Sequence, residues 1–129
     1  MKRPSSSKPT EAELAILHIL WQTGPATVRQ VHERLAENRD VGYTTTLKNM
    51  QNMAHKRLLH RDDTQRSHVY TAAIRQEDTQ RVLLDRFLAS AFGGSASRLV
   101  MQALGQQKTT PEELQQIKDL IRQLENKQS

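Results

Sequence analysis

The chain has 129 residues, enough for one domain or for a small domain with an appendage that needs a partner to cover its apolar face. The absence of cysteine excludes disulfides, thiolate metal sites and cysteine nucleophiles; with no membrane-length apolar run and no signal-peptide core, a cytoplasmic location without membrane insertion is expected. The net charge of +5 lies wholly in the first part, with twelve Lys/Arg against seven Asp/Glu up to Arg75 and seven against seven beyond it, which suggests a polyanion-binding half followed by a neutral half.

Residues Met1 to Pro9 carry Ser, Lys and Pro with nothing to bury and read as a flexible basic arm. Thr10 and Glu13 then form a capping-box pair opening a first helix. Its Leu14, Ile16, Leu17, Ile19, Leu20 and Trp21 cover most of the circumference, so it belongs in the middle of a core, and Gly24-Pro25 ends it. A second box, Thr27 with Gln30, opens a shorter helix with Val28, Val31 and Leu35 in one stripe, stopping near Asn38.

The next run is helical from about Thr44 to Leu58. On a wheel Thr46, Leu47, Met50, Met53, Ala54 and Leu58 gather on one side, while Thr45, Lys48, Asn52, His55 and Lys56 gather on the other, with Thr44 and Gln51 at the margin. Residues 60–63 and 68–71 then read as a hairpin around the turn Thr64-Gln65-Arg66-Ser67. Three helices and a hairpin in this order make a winged helix-turn-helix over residues 10–75.

Residues 76–129 are helical and charge-neutral, in three segments. The first is closed by Gly93-Gly94, the second is capped by Ser95 and closed by Gly105, and the third starts with Thr110 as N-cap and Pro111 in the first turn. Such short helices cannot enclose their own apolar side chains, so Leu84, Phe87, Leu88, Phe92, Leu99, Val100, Leu104, Leu114, Ile117, Ile121 and Leu124 are expected to meet a second copy. The fold class is therefore mainly α, an N-terminal winged helix with a C-terminal three-helix dimerisation region.

A helix entering the major groove needs hydrogen-bonding side chains and no acids, because phosphates line both lips of the groove. Between Tyr43 and Arg61 there are four Lys/Arg and no Asp/Glu. Thr44, Thr45, Lys48 and Asn52 are the candidate base readers. Tyr43, Gln51, His55 and Lys56 on the helix, with Arg61, Arg66, Ser67 and His68 on the wing, are candidate phosphate contacts. Asp62-Asp63 sit on opposite strand faces and cannot form a catalytic pair, so they read as a solubility feature flanking the turn. The five histidines lack the i, i+4 spacing of a metal site, no catalytic signature is present, and neither enzyme activity, metal nor cofactor is expected.

Several segments together resemble the penicillinase and methicillin-resistance repressors of the BlaI/MecI type, within the group that includes the copper-responsive CopY repressors. They are Pro9-Thr10-Glu11-Ala12-Glu13-Leu14 with Leu20-Trp21, Gly42-Tyr43-Thr44-Thr45-Thr46-Leu47-Lys48, Arg66-Ser67-His68-Val69-Tyr70, and Phe92-Gly93-Gly94-Ser95 with Leu99-Val100. The resemblance implies a homodimer on a palindromic double-stranded DNA operator, released when a signal from a membrane sensor metallopeptidase leads to cleavage in the dimerisation region. The family's cleavage neighbourhood maps to Met101, Gln102 and Ala103, where Gln102-Ala103 replaces an Asn-Phe-like bond. Arg57 stands where the family usually has glycine, and the missing cysteine hook excludes copper sensing by that route. Two other readings of a winged helix are a regulator released by a small ligand bound between its halves and a protein-docking module. The second calls for acidic or apolar residues on the outer face of the third helix, where this chain has neither.

Overall fold

A computed structural model describes residues 9–128, so all but the last residue of the expected N-terminal arm lies outside the described residues. Six helices and one two-stranded antiparallel sheet follow in the order α1 (Glu11–Thr23), α2 (Val28–Ala36), α3 (Tyr43–His55), β1 (Leu59–Asp62), β2 (Val69–Ala72), α4 (Gln76–Ala91), α5 (Ala96–Gly105) and α6 (Pro111–Gln128). The chain divides into two compact units, the first ending at Leu83 and the second beginning at Leu84. That division lies inside α4, beyond the composition change after Arg75, because the first turns of α4 belong with the first unit and bury Thr79 there.

Both expected capping boxes form, and the expected N-cap Thr110 makes a third. Thr10 and Glu13, Thr27 and Gln30, and Thr110 and Glu113 each exchange a backbone N-H for a side-chain oxygen in both directions, satisfying donors that the first turn leaves open. Ser95 accepts from the Arg98 N-H to start α5. The expected close of α5 at Gly105 shifts: Gly105 is still helical, and the left-handed residue is Gln107, at φ 58°.

The core lies wholly in the first unit. Ile16, Leu17 and Leu20 of α1, Val28, Val31 and Leu35 of α2, Met50 and Met53 of α3, and Leu58, Leu59 and Tyr70 around the hairpin are buried together. Helix α1 packs on α2, α3 and β2, the central position its nearly all-round apolar surface requires. The Trp21 indole N-H reaches the Ile74 carbonyl at 3.1 Å, tying α1 to the segment after the hairpin.

Two further elements, α3 and the hairpin, also differ from their expected limits. Helix α3 ends at His55 rather than running on to Leu58, because Arg57 turns left-handed at φ 67°. Its N-H bonds to the Ala54 carbonyl at 3.1 Å and the Leu58 N-H bonds to the Met53 carbonyl at 2.9 Å, the two hydrogen bonds of a Schellman stop, with Leu58 and Met53 both buried. An L side chain at this φ is strained. Arg57→Gly is therefore expected to raise stability by about 1 kcal/mol, and Arg57→Val to lower it by at least as much. Urea midpoints of the two variants check this; a Gly variant no more stable than the parent would show that the arginine is not strained.

The hairpin starts and ends one residue away from the expected limits, with Leu59 paired to Ala72 and Asp62 to Val69. Burial of Leu59 draws it into the sheet. The Asp62 carboxylate accepts from both the Thr64 N-H (2.9 Å) and the Thr64 hydroxyl (2.7 Å), which stops the strand. These bonds, the backbone one foremost, hold the Asp62 carboxyl below its ordinary pKa. An isolated bridge outside the hairpin, invisible in the sequence, joins Ala26 to Tyr70 through hydrogen bonds of 3.0 and 2.8 Å.

Candidate nucleic-acid interface

Helix α3 is seated by Thr46, Met50 and Met53, all with essentially no exposed surface, with Leu47 and Ala54 packed at the edge of the core. The opposite face therefore stands in solvent. Thr44, Thr45, Lys48, Gln51, Asn52 and His55 are all exposed, and no acidic residue lies on the helix. The helix opens at Gly42 with no side-chain cap, leaving its first N-H groups open.

The start of α3 is locked to α2 by a short relay. The Thr46 hydroxyl lies 3.1 Å from His32 Nδ1 and 3.4 Å from the Gly42 carbonyl oxygen. The His32 ring meets the Tyr43 ring edge-to-face at 5.6 Å. On Tyr43 rests the Arg29 guanidinium, 5.4 Å from the ring centroid. The Tyr43 ring, expected only as a phosphate contact, is thus also a platform.

The far end of α3 is anchored by a contact that sequence reading missed. Lys56 Nζ lies 2.6 Å from Glu13 Oε2, and Glu13 is only 8 % exposed. Lys56, placed among the phosphate contacts by its wheel position, is the cap residue of α3, and its ammonium is taken by α1. Burial of the Glu13 carboxyl raises its pKa, but hydrogen bonds from Lys56 and the Thr10 backbone, with the lysine charge, outweigh that and hold it below the ordinary value of 4.5. A Glu three residues after Thr10 signals a cap; nothing in the linear sequence signals a cation 43 residues away.

In the wing the expected cations divide. The Arg61 guanidinium is held by Asp63 at 2.8 Å, and His68 Nδ1 lies 3.7 Å from the same carboxylate. Asp62 and Asp63, expected to be a plain solubility feature, organise the turn and its cations. Arg66 has no carboxylate partner among the described residues, and neither do Lys48 and Arg29. Among the described residues no group of three or more His, Asp or Glu is placed to hold a metal ion, and no helix is long and apolar enough to cross a membrane.

In the second unit Leu84, Phe87, Val100, Leu114, Ile121 and Leu124 are exposed, and Leu88, Phe92, Leu99, Leu104 and Ile117 are half-buried. Helices α5 and α6 bury none of their described residues. Met101 (72 % exposed) and Leu120 (53 %) are further apolar residues left in solvent that the expected interface omits. Gln102 and Ala103 lie within α5, exposed but helical.

Residues 9–123 match the family model described as Penicillinase repressor. The chain belongs to the penicillinase repressor family. Among curated relatives are two proteins named Transcriptional regulator BlaI, from Mycobacterium tuberculosis strains CDC 1551 / Oshkosh and ATCC 25618 / H37Rv. Each is 37 % identical over 82 residues, 63 % of this chain, and the match spans 59 % of the relative's length. Among solved structures, the solution structure of the DNA binding domain of the repressor BlaI superposes with a TM-score of 0.51 at 22 % identity, over 60 % of this chain and 90 % of that one. That likeness shows the winged-helix fold of this member of the penicillinase repressor family, whose third helix and hairpin are the elements described above.

Proposed function

We propose that the chain is a DNA-binding transcriptional repressor of the BlaI type, working as a homodimer on a palindromic operator. The observation that carries this reading is the outer face of α3. Thr44, Thr45, Lys48 and Asn52 stand exposed and free of acids on a helix whose opposite face is fully seated in the core. Such a face fits the major groove: Asn52 suits an adenine edge, Lys48 guanine O6/N7, and the threonine methyls thymine. Gln51, His55 and Tyr43 flank the readers, and Arg61, Arg66, Ser67 and His68 of the wing would hold phosphates and set the register. The BlaI relatives are named as transcriptional regulators, in keeping with this role.

Lys48→Ala combined with Asn52→Ala is expected to weaken operator binding by about 2–4 kcal/mol while leaving binding to unrelated duplex nearly unchanged. For the parent, affinity should fall on the order of a thousandfold between about 50 and 200 mM salt. Fluorescence anisotropy on both duplexes measures each effect. A double variant that keeps operator affinity within about 1 kcal/mol would remove these two residues from the reading face.

Dimerisation rests on the unburied apolar faces of α4, α5 and α6. Two linked half-site contacts turn weak binding into specific binding through effective concentration. Inactivation is proposed to follow cleavage near Gln102-Ala103 in response to a membrane sensor metallopeptidase. Proteases take extended substrates, so this bond inside α5 becomes a substrate only when the helix opens.

A further inference from the structure

One cleft in the first unit opens beside the reading face, with Val28 and Tyr70 of the core in its wall. Of about 440 Å³, it is lined by Arg29 at the start of α2, by Tyr43 and Gln51 of α3, and by Arg66, Ser67 and His68 of the wing. Two separate elements, α2 and the wing, thus put two guanidiniums and an imidazole around one opening, and among the described residues no Asp or Glu lines it. Arg29 and Arg66 are also the cations of this cleft that no carboxylate among the described residues neutralises, whereas Arg61, outside it, is held by Asp63. Two uncompensated arginines on one concavity repel each other, a cost recovered when an anion sits between them.

We infer that this cleft takes one phosphodiester of the DNA backbone, clamped between Arg29 of α2 and Arg66 of the wing. The inference rests on the DNA-binding reading above and adds Arg29, outside both α3 and the wing, as a contact. Tyr43 is its positioning residue: its ring lies under the guanidinium and limits where that group points. Gln51 and Ser67 supply neutral donors beside the two charges. A phosphate held at once from α2 and from the wing fixes how deeply α3 enters the groove, so Arg29 acts on register without reading a base. Guanidinium suits the task because its planar fork can bond two phosphate oxygens.

The test uses the full chain and a mixed-sequence duplex, since a backbone contact acts on any sequence. Binding is measured for the parent, Arg29→Ala, Arg29→Lys, Arg66→Ala and the double alanine variant, with thermal unfolding alongside. The parent must first lose affinity steeply with salt; a flat response would overturn the DNA-binding reading itself. Given a steep response, R29A and R66A are each expected to bind about tenfold more weakly with unchanged unfolding temperatures. R29K should recover part of the loss, through charge alone. Because both arginines hold one phosphate, the double variant should lose clearly less than the product of the single losses. Parent-like binding by R29A, or strictly multiplicative losses, would overturn the clamp. Inorganic phosphate at constant ionic strength should compete no better against the parent than against R29A. Selective displacement of the parent would show instead a site for free phosphate and also overturn the proposal.

Discussion

Phe87→Glu together with Ile121→Glu is expected to make the chain monomeric and to lower operator affinity by about a hundredfold or more. Both side chains are about half exposed, at 50 % and 48 %, so neither substitution removes core packing and the helical content should be unchanged. Helices α5 and α6 bury none of their described residues, while the first unit encloses a complete core. Apolar surface left in water at roughly 25 cal/mol per Å² favours any arrangement that covers it, and a second copy supplies a matching face by symmetry. Glutamates there would have to be desolvated on association. Sedimentation equilibrium reads the state directly: the parent should run at twice its 14.8 kDa chain mass and the double variant at that mass. A parent that stays monomeric at micromolar concentration, or a variant that still pairs, would place the dimer contact elsewhere.

The second large effect concerns Glu13. Glu13→Ala removes the return half of the α1 capping box and the partner of Lys56. A cap is worth about 1 kcal/mol and a half-exposed ion pair less than that after solvent screening, giving about 1.5–2 kcal/mol and a fall in Tm of roughly 10 °C. Glu13→Gln separates the two contributions, because glutamine still serves the capping box while losing the charge. It should cost no more than about half as much.

The pH dependence follows from the lowered pKa of Glu13. A group with a depressed folded pKa stabilises above its unfolded value, here near 4.5, and that contribution is lost as pH falls through the folded value. The stability difference between parent and E13Q should therefore be constant near neutrality and close on acidification below about pH 4.5. Removing the cation instead, with Lys56→Met, takes away two of the influences that lower the Glu13 pKa and should raise it, with burial then opposed only by the hydrogen bonds from Thr10. Carboxyl chemical shifts across a pH titration follow this; a Glu13 pKa indifferent to Lys56 would mean the pair does not persist in solution. The same pair anchors α3 to α1 at the end away from Tyr43, so E13A should also weaken DNA binding modestly by loosening the reading helix.

Much of this protein is written in local patterns. Capping signals are local, so the boxes Thr10-Glu13 and Thr27-Gln30 and the N-cap Thr110 before Pro111 marked three helix starts without any tertiary knowledge. The exposed face of α3 was equally legible, since period 3.6 sorts Thr46, Met50 and Met53 from Lys48 and Asn52 wherever the helix packs. The end of α3 was less so: without a glycine to announce it, the helical pattern runs on through Arg57, and only burial of Leu58 against Met53 explains why the chain turns there.

What tertiary structure alone decided is the fate of individual charges. Composition counts Lys56, Arg61, Arg66 and Arg29 as equal cations, but the field around each depends on carboxylates brought near by folding. Glu13 takes Lys56 from across 43 residues of chain, and Asp63 takes Arg61 from two residues away. Among the described residues Arg29 and Arg66 meet no carboxylate and instead line one cleft, from elements far apart in sequence. Periodicity determines which face of a helix is wet because that depends on neighbours within one turn. Coulombic pairing depends on distance in space and is blind to sequence separation, so which cations carry a carboxylate partner and which stand uncompensated is settled by the packing of α1, α2, α3 and the wing.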